Sequence, residues 1–273
     1  IEFIDITSTG NGSDFGDLSA AKKSTMSVSS QTRAISAGGL VSSSAINVIE
    51  YVTIASAGDV TDFGDLADTS QEGTGTGNST RGLFQLGITS ATTTSDVINY
   101  VTIASTGDAQ DFGDLNVGRA YGQDSFVSSP VRGVFAGGYP LSGGAMDYVT
   151  IASTGNAQNF GDLSVARYGI GGASSSTRGT FGGGNTSGDT IDYITIASTG
   201  NASDFGNLTI APRYVSGTSN STRGVFGGGQ ISATRQNTIG YITIASTGNA
   251  ADFGDLSAGK NSLTATSGSH GGI

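Results

Sequence analysis

The sequence predicts an all-β fold, a β-propeller of six four-stranded blades forming one domain over residues 1–273. Three observations predict it: a segment that recurs six times, a two-residue alternation inside each copy, and the lack of any capped helical period. The copies begin EFIDITSTGNGSDFGDL at Glu2, EYVTIASAGDVTDFGDL at Glu50, NYVTIASTGDAQDFGDL at Asn99, DYVTIASTGNAQNFGDL at Asp147, DYITIASTGNASDFGNL at Asp192 and GYITIASTGNAADFGDL at Gly240. Their marker phenylalanines, Phe15, Phe63, Phe112, Phe160, Phe205 and Phe253, stand 48, 49, 48, 45 and 48 residues apart.

Each unit reads as four strands. Strand a is the Gly/Ser/Ala/Thr stretch, such as YGIGGASSS over 168–176. Small side chains suit a crowded strand lining a central channel. Strand b follows Arg33, Arg81, Arg132, Arg178 or Arg223 and ends in Gly-Gly in four of the five units (Leu86-Gly87 in the other), which permits close approach and a turn. Strand c alternates, with Val52 and Ile54 on one side and Tyr51 and Thr53 on the other. The TGN or TGD that follows is a turn, because Gly, Asn and Asp tolerate positive φ. Strand d carries DFGDL or its variants. Five units run a to d over 24–66, 72–115, 121–163, 168–208 and 214–256. Residues 2–18 supply a c–d pair and 261–273 an a and a short b, so pairing of the termini is expected to close a sixth blade and remove the open edges.

Composition narrows the function. The chain has 273 residues, 45 of them Gly, with no Cys, no Trp and one His, His270. No disulfide or Cys/His metal site can form. No apolar run approaches the ~18 residues of a membrane helix, so membrane insertion is not expected. The net charge of −10 opposes binding to nucleic acid backbone. No signal-like leader opens the chain, which reads as a processed or excised portion of a longer one. No cofactor or metal is expected.

The chemical candidates are mostly structural. DFG stands in five units without the partner motifs of a kinase, so its Phe is read as a packing knob. Two Asp columns, Asp14, Asp62, Asp111, Asp204, Asp252 and Asp17, Asp65, Asp114, Asp162, Asp255, carry oxygens that calcium favours. Turn capping, or pairing with the Arg column, is the preferred reading. A Ser/His/Asp triad would rest on His270 alone, so no enzyme is expected.

The order of a basic residue, a small-residue strand, a Gly-Gly strand end, a Tyr and a later aromatic resembles the kelch repeat over the whole chain. Gly137-Gly138, Tyr148 and Arg167, or Gly183-Gly184, Tyr193 and Arg213, carry the resemblance. Phe160 and its equivalents stand where kelch repeats usually have Trp. The resemblance implies partner binding through the b–c and d–a loops, which share one face. A galactose-oxidase-like copper site, which such folds can carry, needs Cys and two His and is excluded. The units are also similar to tail-fibre-like repeat proteins of marine, cyanobacterial tailed phages, which implies an extracellular place on a virion surface.

The a–b and c–d connections hardly vary, whereas the b–c and d–a loops differ in length and content. Divergence confined to one face points to binding there. The expected ligand residues are Lys23, Arg119, Tyr121, Tyr139, Arg167, Tyr168, Asn185, Arg213, Tyr214, Gln230, Arg235 and Lys260. Arg and Tyr on a polar surface suit recognition of a glycan or a carboxylate. The expected function is a non-enzymatic adhesion module of a virion appendage, with a cell-surface glycan or protein receptor and other virion proteins as partners. The alternatives are a structural or decoration module without host ligand and, less favoured, a sialidase-like hydrolase. Against the last, the Arg column looks structural and the sialidase Asp-box is absent.

Overall fold

The alternation of apolar and polar residues resolves into antiparallel strands, and no helix forms among the described residues. The computed structural model describes residues 1–122, 124–140 and 144–273. Five sheets, each built on four strands in the order a-b-c-d, form the blades of a β-propeller, and short strands of the b–c loops extend the sheets of blades 1 and 5. Blade 1 holds Met26–Ser29, Arg33–Ala37, Ser44–Thr53 and Thr61–Gln71. Blade 2 holds Thr74–Gly77, Arg81–Gln85, Ser95–Thr102 and Gln110–Arg119. Blade 3 holds Phe126–Ser128, Arg132–Ala136, Ala145–Thr150 and Gln158–Asp162, and its b–c loop YPLSGGAM falls partly outside the described residues. Blade 4 holds Gly171–Ser174, Arg178–Gly182, Thr190–Thr195 and Ser203–Asn207. Blade 5 holds Ser216–Ser219, Arg223–Gly227, Thr234–Thr243 and Ala251–Lys260.

The expected sixth four-stranded blade is corrected. Between blades 5 and 1 stands a two-stranded hairpin, Glu2–Phe3 with Ser13–Asp14, and residues 261–273 form no strand. The hairpin still bonds both neighbours: Gly10 donates to the Phe253 carbonyl and Gly58 to the Phe15 carbonyl, at 2.9 and 2.8 Å. The tail runs beside strand a of blade 1, where Ser29 donates to the Ser267 carbonyl at 2.8 Å. What is missing is a strand b between them, since the chain after Gly268 turns across the channel.

The repeated motifs fasten one blade to the next. In strand d of blade 3, the Phe160 carbonyl accepts from Gly200 N–H at 2.7 Å, and Asn201 Oδ1 accepts from Asp162 N–H at 3.0 Å. Thus the TGN turn of each blade caps strand d of the blade before it. The intervening glycine is required there: Gly161 has φ +147°, and a Cβ on it would lie 2.3 Å from the Gly200 carbonyl oxygen.

The core lies between blades. Phe84 of blade 2 packs with Met26, Ile49 and Phe63 of blade 1, and Phe181 of blade 4 packs with Val134, Met146 and Phe160 of blade 3. Each such burial is worth roughly 1.5–3 kcal/mol. The Arg column does not pair with the Asp columns, contrary to one expectation. Each Arg stacks on the Tyr of its own strand c, as Arg132 does over Tyr148 at 4.3 Å, and donates to the next unit of the ring, here to the Ile196 carbonyl at 3.1 Å. The same Tyr meets the marker Phe edge-on, with Tyr148 and Phe160 centroids 6.0 Å apart.

Candidate ligand-binding face

The d–a loops end in residues of positive φ, namely Ser24, Glu72, Tyr121, Gly169, Tyr214 and Ser262. These residues are linked around the channel mouth by backbone hydrogen bonds. Tyr214 N–H reaches the Gly169 carbonyl at 2.8 Å, Gly169 N–H the Tyr121 carbonyl at 3.0 Å, and Ser262 N–H the Tyr214 carbonyl at 3.3 Å. The turn of chain that completes this rim also meets the b–c loops, through the bridges Lys23–Leu40, Ala120–Tyr139 and Arg213–Gln230. The two variable loop sets therefore share one face.

Four of the expected residues come together there. Tyr121 lies 5.9 Å from Tyr139, 5.6 Å from Tyr168 and 6.5 Å from Tyr214, centroid to centroid. Tyr139 and Tyr214 each close on Tyr168, at 6.1 and 6.2 Å. Tyr139 is 53% exposed, so the cluster presents ring surface to solvent. Burial pushes the Tyr214 hydroxyl up in pKa, and the neighbouring Tyr168 adds to this. The guanidinium of Arg213 stacks over Tyr214 at 5.3 Å. Asn185 Oδ1 accepts from Tyr168 N–H at 2.9 Å, which holds a second loop against the cluster. Gln230 pairs with the Arg213 backbone and accepts from Asn261 at 2.7 Å. Lys23 and Arg235 are exposed, and among the described residues no salt bridge involves them.

Arg119, Arg167 and Lys260 are placed differently. Arg119 and Arg167 are 1% and 2% exposed and point inward. Arg167 Nη1 meets Asp192 Oδ2 at 2.9 Å and Nη2 donates to the Phe181 carbonyl at 3.2 Å. Arg119 pairs with Asp147, Lys260 with Glu2, and Lys22 with Glu50. In four units a basic residue of the d–a loop thus holds the acid that precedes the strand-c aromatic of the following unit. Burial raises the Glu2 carboxyl, but hydrogen bonds from Lys260 and Ser257 outweigh it and hold the pKa at about 2.

Sequence reasoning missed the contents of the channel. Asp124 is fully buried just before strand a of blade 3. It accepts from Ser216 and Gly217 of blade 5 and from Thr264 and Ala265 of the tail. Burial raises its pKa to about 7 against those hydrogen bonds. A signal was available, since Asp124 and Glu72 are the two acids in the otherwise uncharged strand-a stretches. His270 lies against the same channel strands. Its Nε2 donates to the Ser29 carbonyl at 3.3 Å, its Nδ1 accepts from Gly272 N–H at 3.0 Å, and burial lowers its pKa to about 4. No group of three or more His, Asp or Glu residues suited to a metal ion occurs among the described residues.

No protein-family model matches this sequence, and no curated protein matches it either. The class that the fold defines is a β-propeller of small antiparallel sheets with a tyrosine cluster at one mouth of its channel.

Proposed function

We propose that this propeller is a non-enzymatic binding module that recognises a cell-surface glycan or protein through the b–c and d–a loop face. One observation carries the reading: Tyr121, Tyr139, Tyr168 and Tyr214, from three different d–a loops and one b–c loop, converge on a single aromatic surface. Clustered tyrosines offer rigid apolar ring faces with hydroxyls at their edges, which suits sugar rings and extended peptides alike. Arg213, Arg235 and Lys23 supply cations around that surface for carboxylates. The absence of catalysis in this reading is supported by the setting of His270, whose ring nitrogens are both engaged by backbone groups. The kelch-like character of the blades and a place on a phage appendage rest on sequence resemblance and belong to the same proposal.

The test is a glycan array together with a cell-binding assay, run on the wild type and on Tyr121→Ala/Tyr168→Ala. Binding that falls at least tenfold in the variant, with unchanged circular dichroism, supports the reading. Undiminished binding by the variant, or none by folded wild-type protein, overturns it.

A further inference from the structure

A cavity of about 850 Å³ opens between the hairpin, the tail and blades 1 and 5. It lies where a strand b would stand in a complete blade, and its walls keep the features that strand b satisfies elsewhere. In blades 2 to 5 strand c presents two apolar residues to the preceding blade, and there they are buried: Val101 and Ile103 are 4% and 1% exposed, Ile194 and Ile196 3% and 0%. Their counterparts Val52 and Ile54 line the cavity and are only half-buried. Ile103, Ile151, Ile196, Ile244 and Ile6 each accept a hydrogen bond from a strand-b Arg through their carbonyls. Ile54, at the same place in blade 1, receives none.

The same pattern holds for the rings and the core. The five strand-c tyrosines Tyr51, Tyr100, Tyr148, Tyr193 and Tyr241 each carry a stacked Arg. Phe3, packed edge-on against Phe15 as they are against their own Phe, carries none and is 50% exposed. The cores of blades 1 to 4 each take in a strand-b Phe from the following blade: Phe84, Phe135, Phe181 and Phe226. The core of blade 5, around Val225, Ile239 and Phe253, receives only Ile4 and Ile6 from the hairpin. Ser36 Oγ, on the cavity wall, is buried without a hydrogen-bond partner.

The geometry points to a donated strand: the cavity takes an extended segment of another polypeptide, with the pattern Arg-Gly-(Val, Leu or Thr)-Phe followed by small residues. Edge groups of the hairpin and of the tail supply its backbone partners, as in β-strand addition. Its Arg stacks on Phe3 and bonds the Ile54 carbonyl. Its β-branched residue or Leu covers Val52 and Ile54, and its Phe packs on Val225 and Ile239. The chain's own tail is directed elsewhere, because His270 bonds the Ser29 carbonyl at the a–b end of the channel. This inference does not depend on the tyrosine face.

A labelled peptide TRGVFGGG, copying residues 222–229, is titrated into the 273-residue chain. Saturable binding is expected, with nuclear magnetic resonance shifts at Phe3, Ile54 and Val225. A control peptide with Ala for Arg and Asp for Phe binds at least tenfold more weakly. Phe3→Ala, at an exposed position, weakens the first peptide by about two- to fivefold and leaves a peptide with Ala for Arg unaffected. Equal binding of the control, no saturable binding, or shifts confined to the His270 tail would overturn the proposal. Self-association of the chain through Phe3 and Val225 in place of peptide binding would overturn it as well.

Discussion

At the scale of single residues, the glycines separate into those that the fold demands and those it tolerates. Gly161 sits at positive φ with the Gly200 carbonyl where a Cβ would be. Gly58, in the c–d turn of blade 1, has no atom within 4 Å of a Cβ and no positive φ. Gly161→Ala is therefore expected to cost about 3 kcal/mol, combining backbone strain with a clash against unyielding backbone. Gly58→Ala should stay within about 0.5 kcal/mol of wild type. Urea unfolding of both variants checks this, and equal costs would show that the inter-blade approach does not constrain strand d. The sequence made the FGD glycine visible as a repeated position, but not its cause. The carbonyl that excludes a side chain belongs to the next blade, some 40 residues on in blades 3 and 4, where Gly161 meets Gly200.

At the scale of strands, what was legible was whatever the repeat states locally. Strands b and c, the TGN turn and the marker Phe all follow from period and turn chemistry, and blades 1 to 5 contain them. What was not legible was the partner of each charge. Arg167 and Arg119 looked like ligand residues because they stand in variable loops, yet each crosses to an acid 25 or 28 residues later and is buried with it. Register in the sheet and the fold of the d–a loop bring such pairs together, and neither is written at the loop itself. Tyr121, Tyr168 and Tyr214 stand in the same loops but face the channel mouth, so one loop type serves two ends. The buried pair has a measurable consequence. Asp192→Ala strands the Arg167 guanidinium and removes the acceptor of Ser164, so a loss of about 3–5 kcal/mol is expected. Arg167→Met/Asp192→Leu removes both charges and should recover most of it, as denaturation midpoints would record. If the double variant is no better than Asp192→Ala, the loss comes from packing around strand c and not from a stranded charge.

At the scale of the whole molecule, the ring depends on how its two ends meet, and two buried groups control that junction. Six repeats could be counted in the sequence, but whether 261–273 would pair as a blade depended on where the tail goes after Gly268. Asp124 and His270 draw it into the channel. Each group makes stability depend on pH, with opposite sign. Asp124 has its pKa raised from 3.8 to about 7, so the folded state holds a proton that the unfolded state has lost, and stability declines as pH rises through that window. His270 has its pKa lowered from 6.5 to about 4, so the unfolded state holds the extra proton there, and stability declines as pH falls through that window. No charged neighbour contributes to either shift. Between roughly pH 4 and 6.5 the two slopes oppose each other, and their joint contribution to the wild-type profile is nearly flat. Asp124→Asn leaves the histidine slope exposed, and relative to wild type this variant gains about 3 kcal/mol between pH 4 and 6.5. His270→Gln leaves the carboxyl slope, and relative to wild type it loses a similar amount over the same interval. Glu2, with its pKa near 2, adds the same acid-side slope to all three proteins and cancels from these differences. Urea denaturation at half-unit pH steps measures the three curves. Parallel curves would mean that the tail does not bury these groups, whereas curves that diverge in opposite directions from wild type place both of them in the closed channel.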